Sequence, residues 1–173
     1  MLVENTRAIE GLLVQGELDI GLVEGGILHP DLTAVPVMED FLTAVGAEAV
    51  EEPLTLTELC SRYPLLMREN GSGTRAMVEE ALIREGVAWR EQWVCSNTQA
   101  LLRAAEAGFG VTIISRMLAG EALESGRLYE ISLKNCRLSR AFRLVWHKDK
   151  FQSPEFLRFC QTCRAYAEKA KAV

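Results

Sequence analysis

The chain is poor in the groups that catalysis, metal binding and membrane insertion require. It has two histidines, and neither sits beside a serine or cysteine in a recognisable nucleophile setting. His29 precedes Pro30 in a turn, and His147 opens the charged loop His147-Lys148-Asp149-Lys150. No apolar run approaches the ~20 residues of a membrane-spanning helix. The first residues, Met1-Leu2-Val3-Glu4-Asn5, lack the basic flank and apolar core of an export signal, so a cytoplasmic protein is expected. Positive charge is also short: the net charge is −5 and the pI near 5.2, which leaves no basic footprint for nucleic acid. No proline- or glycine-rich linker and no internal repeat divides the chain.

The five cysteines are an odd number and widely scattered, which fits reduced thiols better than a disulfide framework. Cys160 and Cys163 form a C-x-x-C, but no second pair exists to complete a zinc site. Both fall on the stripe Phe156, Phe159, Cys160, Cys163, Ala167 of a helix, the i, i+3, i+4 spacing of a buried face. They read as core thiols, and no metal or cofactor is expected.

What is present is an alternation of helices and strands over 173 residues, enough to bury a core as one domain or two small lobes. Asn5 or Thr6 caps a first helix carrying Ile9, Leu12 and Leu13, and Leu18–Val23 is a short strand. Leu32–Val37 and Phe41–Gly46 read as two strands separated by Met38-Glu39-Asp40. Thr55-Leu56-Thr57-Glu58 is a capping box. Trp93–Cys95 is a strand, and Ser96-Asn97-Thr98-Gln99 reads as a second capping box opening a helix that ends at Gly108. Strands follow at Val111–Ile114, Leu128–Leu133 and Phe142–Trp146. Ser153-Pro154-Glu155 then launches the last helix with proline at its first position. Alternating units of this size imply an α/β fold with a mostly parallel sheet.

The most informative stretch is Arg68-Glu69-Asn70-Gly71-Ser72-Gly73-Thr74-Arg75. An apolar strand, Tyr63-Pro64-Leu65-Leu66-Met67, ends in a glycine-rich turn that opens a helix running to Gly86. Backbone N–H groups and two hydroxyls meet there at the positive end of the helix dipole, which suits an anionic ligand. A serine or threonine merely capping the helix would leave the same signature. The turn lacks the lysine of a P-loop, the third glycine of a dinucleotide fingerprint and the Gly-x-Ser-x-Gly spacing of a hydrolase elbow. No enzyme is expected.

This run, with Gly16-Glu17-Leu18-Asp19-Ile20-Gly21-Leu22-Val23-Glu24-Gly25 before it, resembles the effector-binding domain of LysR-type transcriptional regulators. Ser96-Asn97-Thr98-Gln99-Ala100, Ala107-Gly108-Phe109-Gly110-Val111 and His147-Lys148-Asp149-Lys150 follow in the family's order and spacing. The resemblance covers essentially the whole chain. It implies a two-lobe fold like type 2 periplasmic binding proteins, with a ligand cleft between the lobes. Lobe one would be 1–61 with 140–173, lobe two 62–139, and the chain would cross near Cys60–Pro64 and Cys136–Ala141. The first strand–helix unit of lobe one and the winged helix-turn-helix of the full regulator would be missing, leaving a fragment.

The function this implies is sensing of a small anionic metabolite, with no direct DNA binding, by a chain that forms a homodimer or higher oligomer. Ser72, Gly73 and Thr74 are the leading ligand contacts, Asn97 and Thr98 the next, and Val23, Glu24 and Gly25 the contribution of lobe one. For Glu24 the backbone is a better contact than a carboxylate that would repel an anion. Arg75 would brace the turn or bind ligand, while Gly108 and Gly110 read as packing glycines. The rival readings are a transporter's solute-binding protein and an interaction remnant that no longer binds ligand.

Overall fold

A computed structural model describes residues 1–27 and 29–170. The chain forms two compact units, Met1–Glu39 with Arg140–Val173, and Asp40–Ser139. Two long strands, β2 (Leu32–Gly46) and β7 (Leu138–His147), run through both boundaries.

In the first unit, helix α1 (Thr6–Val14) starts at Asn5, whose side chain accepts a hydrogen bond from the Ala8 N–H at 3.1 Å. Strand β1 (Gly21–Glu24) pairs antiparallel with β7, Val23 opposite Arg143 and Leu22 opposite Leu144. Successive β7 residues face opposite ways. Val145 packs with Ile9, Leu13 and Val23, whereas Leu144 and Trp146 pack with Phe156 and Cys160 of helix α6 (Pro154–Ala170). Helices therefore cover both faces of this part of the sheet. Trp146 and Phe156 meet edge to face, with ring centroids 5.4 Å apart. The Ser153 hydroxyl accepts from the Phe156 N–H at 3.3 Å and caps α6. Cys160 and the partly buried Cys163 belong to this core, and burial raises both thiol pKa values.

In the second unit, the end of β2 pairs antiparallel with β5 (Thr112–Ser115) and β6 (Tyr129–Ile131). Strands β3 (Leu65–Arg68) and β4 (Glu91–Cys95) pair in parallel. Helices α2 (Leu56–Arg62), α3 (Gly73–Arg84), α4 (Thr98–Glu106) and α5 (Arg116–Glu124) complete it. Leu54, Leu59, Leu65, Leu82 and Val111 anchor one core, and Leu66, Leu101, Leu102, Ile114 and Leu128 another. Gly110 is required by packing: a Cβ there would lie 2.4 Å from the Pro64 carbonyl oxygen.

The α/β two-lobe class holds, but three sequence expectations are corrected. First, the sheet is not mostly parallel, since β1–β7, β2–β5 and β2–β6 are antiparallel and β3–β4 is the parallel strand pair among the described residues. Second, the two strands expected at Leu32–Val37 and Phe41–Gly46 are one strand of 15 residues. The intervening Asp40 is 1% exposed and accepts a hydrogen bond from the Ser115 hydroxyl at 2.8 Å. Its polarity marks a long-range partner instead of a turn. Third, the first unit boundary falls at Glu39/Asp40, earlier than the Cys60–Pro64 crossing, because Leu42, Leu54, Leu56 and Leu59 share one core with Leu65 and Met67.

Candidate functional site

Strand β3 ends at Arg68, and the turn that follows depends on Gly71, whose φ of +91° side chains other than glycine's rarely adopt. Ser72 is the N-cap of α3, 3% exposed, and its hydroxyl accepts from the Arg75 N–H at 3.5 Å. Gly73 and Thr74 form the first helical positions, where backbone amides lie outside the i→i−4 ladder. The Thr74 side chain is buried. Arg75 is the brace of this corner. Its guanidinium donates to Glu79 at 2.7 Å, to Glu91 at 2.6 Å and to the Arg68 carbonyl at 3.0 Å, with 9% of its side chain exposed.

Strand β4 runs parallel to β3, so both strands end at the same edge and both lead into helix starts. Asn97 caps α4, its side-chain oxygen accepting from the Ala100 N–H at 3.1 Å. This corrects the box expected at Ser96 and Gln99: the cap falls one residue later, at Asn97, whose N–H also donates to the Cys95 sulfur at 3.4 Å. Thr98 is the first residue of α4, and its hydroxyl accepts from Arg68 Nη1 at 3.0 Å. Arg68 thus ties the end of β3 to the start of the neighbouring helix. It also grips the Glu69 carboxylate with two bonds, Nε to one oxygen at 2.8 Å and Nη2 to the other at 3.2 Å.

The structure therefore brings Ser72, Gly73, Thr74, Asn97 and Thr98 to one edge of the second unit, with Arg68 among them. By its charge alone Arg68 could attract an anion, though charged residues flanking a turn are usually solvated. Its bond to Thr98, 30 residues away, leaves no local signature.

Val23, Glu24 and Gly25 lie in the first unit, at the end of β1. Val23 is 3% exposed and belongs to the core. The Glu24 carboxylate is held by Arg140 at 2.6 Å, and the Glu24 carbonyl accepts from the Thr6 hydroxyl at 3.2 Å. The Gly25 N–H donates to the Ala141 carbonyl at 3.2 Å, and its carbonyl accepts from Arg143. The backbone contacts expected of Glu24 and Gly25 are thus committed to the unit's own groups.

Among the described residues, two openings are lined by none of Ser72, Gly73, Thr74, Asn97 and Thr98. One of about 260 Å³ is lined in the second unit by Gly46, Tyr63, Pro64, Gly110 and Ile131 among others. The other, about 320 Å³ in the first unit, lies among Leu22, Phe142, Cys163 and Tyr166.

An α/β scaffold whose helix N-termini gather beyond the carboxyl ends of parallel strands is a small-molecule-binding architecture. The LysR substrate binding domain family matches residues 1–168, and the chain belongs to that family. YeiE of Escherichia coli K12, described as an uncharacterized HTH-type transcriptional regulator, is 28% identical over 164 residues, covering 93% of this chain and 56% of YeiE. The chain spans about half the length of the curated regulators it matches. Among solved structures, the Synechocystis PCC6803 CcmR regulatory domain in complex with 2-PG superposes with a TM-score of 0.86 at 21% identity, over 95% of this chain and 81% of that one. The effector binding domain of QuiR in complex with shikimate gives 0.82 at 17% identity, over 96% and 79%. At these identities the two structures establish the fold. YeiE and CbbR of Rhodospirillum rubrum are described as HTH-type transcriptional regulators, not as enzymes. Among the described residues no helix is long and apolar enough to cross a membrane.

Proposed function

We propose that this chain is the ligand-sensing part of a LysR-type transcriptional regulator, and that it takes a small anionic metabolite at the paired helix starts of the 40–139 unit. The observation that carries the reading is the meeting of the α3 and α4 N-termini at the ends of β3 and β4, joined by Arg68 and Thr98. Helix-start amides and a guanidinium favour negative charge, and charge-assisted bonds to such a ligand contribute about 1.5–3 kcal/mol each. The ligands carried by the two solved neighbours, 2-PG and shikimate, support a small polar effector, and shikimate bears a carboxylate.

With this reading go a cytoplasmic location, assembly with a second copy of the chain, and DNA contact made by other parts of a longer regulator. The acidic balance of these 173 residues agrees with the last point. Light scattering reads the assembly.

Thermal unfolding in phosphate, sulfate and shikimate, against sodium chloride at equal ionic strength, tests the reading. Stabilisation of about 2.7 kcal/mol is expected at a hundredfold excess over Kd. Thr74→Val should weaken binding by about 1–3 kcal/mol, with circular dichroism confirming the fold. Equal stabilisation by chloride, or an unchanged response in the variant, would remove Thr74 from the site.

A further inference from the structure

We infer that Arg68 grips the effector's anionic group through its two-pronged edge, and that Glu69 is a resident counterion which the effector displaces. The inference rests on the proposed anion site and names the residues that set its selectivity. The Glu69 carboxylate occupies the Arg68 fork through two N–H···O bonds, one to each of its oxygens, at 2.8 and 3.2 Å. A carboxylate or phosphate offers the same pair of oxygens; a halide does not. The contact that Glu69 makes is thus the one a bidentate oxyanion would take over.

The neighbouring arginine shows why Arg68 suits this task. Arg75 is fixed by two carboxylates and a carbonyl, and its side chain is 9% exposed. Arg68 has one carboxylate partner where Arg75 has two, and its side chain is 17% exposed. An ion pair that water reaches is held weakly and exchanges for a competing anion. Nη1 remains bonded to Thr98 while Nε and Nη2 face the carboxylate. The fork can change partner while the guanidinium stays anchored to α4.

Glu69 follows Arg68 directly in the chain, so its carboxylate is present at a high local concentration whenever no effector is bound. An effector must outcompete it, which selects against weak or singly bonding anions. Removing the Glu69 charge should therefore tighten oxyanion binding in general and narrow the difference between strong and weak anions.

The experiment is isothermal titration of the 173-residue chain with inorganic phosphate and with chloride, for wild type, Glu69→Gln, Arg68→Gln and Arg68→Lys. Circular dichroism and thermal midpoints establish that each variant is folded. Glu69→Gln is expected to bind phosphate about fivefold more tightly, and Arg68→Gln about tenfold more weakly. Arg68→Lys keeps the charge without the fork, so it should lose most of the preference for phosphate over chloride. Phosphate binding by wild type with Glu69→Gln unchanged, or with Arg68→Lys retaining full selectivity, would overturn this inference and leave the proposed function standing. A wild-type chain that binds no oxyanion would overturn the proposed function itself.

Discussion

The two units end their strands with opposite chemistry. At the end of β1 the exposed functional groups are acceptors, the Glu24 carboxylate and the Glu24 and Gly25 carbonyls. The unit neutralises them itself, with Arg140 on the carboxylate, Thr6 on one carbonyl and Arg143 on the other. At the ends of β3 and β4 the groups are donors: the opening amides of α3 and α4 and the Arg68 guanidinium. Similar strand-to-turn sequences, each rich in glycine, thus lead to acceptors held by the unit's own arginines in one unit and, in the other, to helix-start amides beside a guanidinium whose carboxylate partner, Glu69, is its own chain neighbour. Glycine content marks where backbone comes close, while the sign of the surrounding charge decides what it can hold.

The sharpest way to break the comparison is to remove the cation from the neutralised end. The Arg140 side chain is 1% exposed, beside a Glu24 carboxylate that is 28% exposed. Arg140→Met should remove the buried cation bonded to that carboxylate and lower stability by about 2–3 kcal/mol in urea unfolding, toward the lower end of the cost of opening a buried pair. A change below about 0.5 kcal/mol would mean that the pair contributes no more than a surface contact.

A buried polar group in the second unit behaves in the opposite way. Thr112, 1% exposed in β5, is a buried side chain whose hydroxyl has no hydrogen-bond partner among the described residues. Thr112→Val keeps the shape and removes an unsatisfied group, so it should stabilise the chain by about 1 kcal/mol. Destabilisation by the same amount would reveal a hydrogen bond to that hydroxyl in solution.

A smaller effect follows at α2. Glu58 accepts from the Thr55 N–H at 2.7 Å and from the Thr55 hydroxyl at 2.9 Å, and these bonds, the backbone one first, lower its pKa below the ordinary carboxylate value. A carboxyl with a depressed folded pKa contributes stability above its unfolded pKa, and that contribution is lost as pH falls through the folded value. Protection of the Thr55 amide against exchange, taken relative to an unstructured peptide at the same pH, should therefore fall as the pH drops below the ordinary glutamate pKa of about 4.3. Glu58→Gln should abolish that pH dependence; a variant that retains it would place the titrating group elsewhere.

Much of this organisation is legible in the sequence wherever the cause is local. The Thr55–Glu58 box, the Ser153 cap, the Asn5 cap and the glycine turn before α3 all appear where their residues indicate, because each is completed within three or four positions. Long-range partners are what the sequence hides. Asp40 looks like a turn residue until Ser115, 75 positions away, supplies its hydrogen bond. The antiparallel pairing of β1 with β7 joins the beginning and the end of the chain, and no periodicity within either strand records direction. At the candidate site, Ser72, Thr74, Asn97 and Thr98 follow from the motifs, whereas the bond from Arg68 to Thr98 emerges only once β3 and β4 lie side by side.

The central claim is that an anion is held by the helix starts of the second unit. A phosphate titration of the ¹⁵N-labelled chain followed by amide chemical shifts tests it most directly. Saturating changes are expected at Gly73, Thr74, Thr98 and Gln99, together with the Arg68 side-chain Nε–H, while Gly25 and Arg143 stay in place. Changes confined to Gly25 and Arg143, or a linear drift across all amides without saturation, would contradict the account.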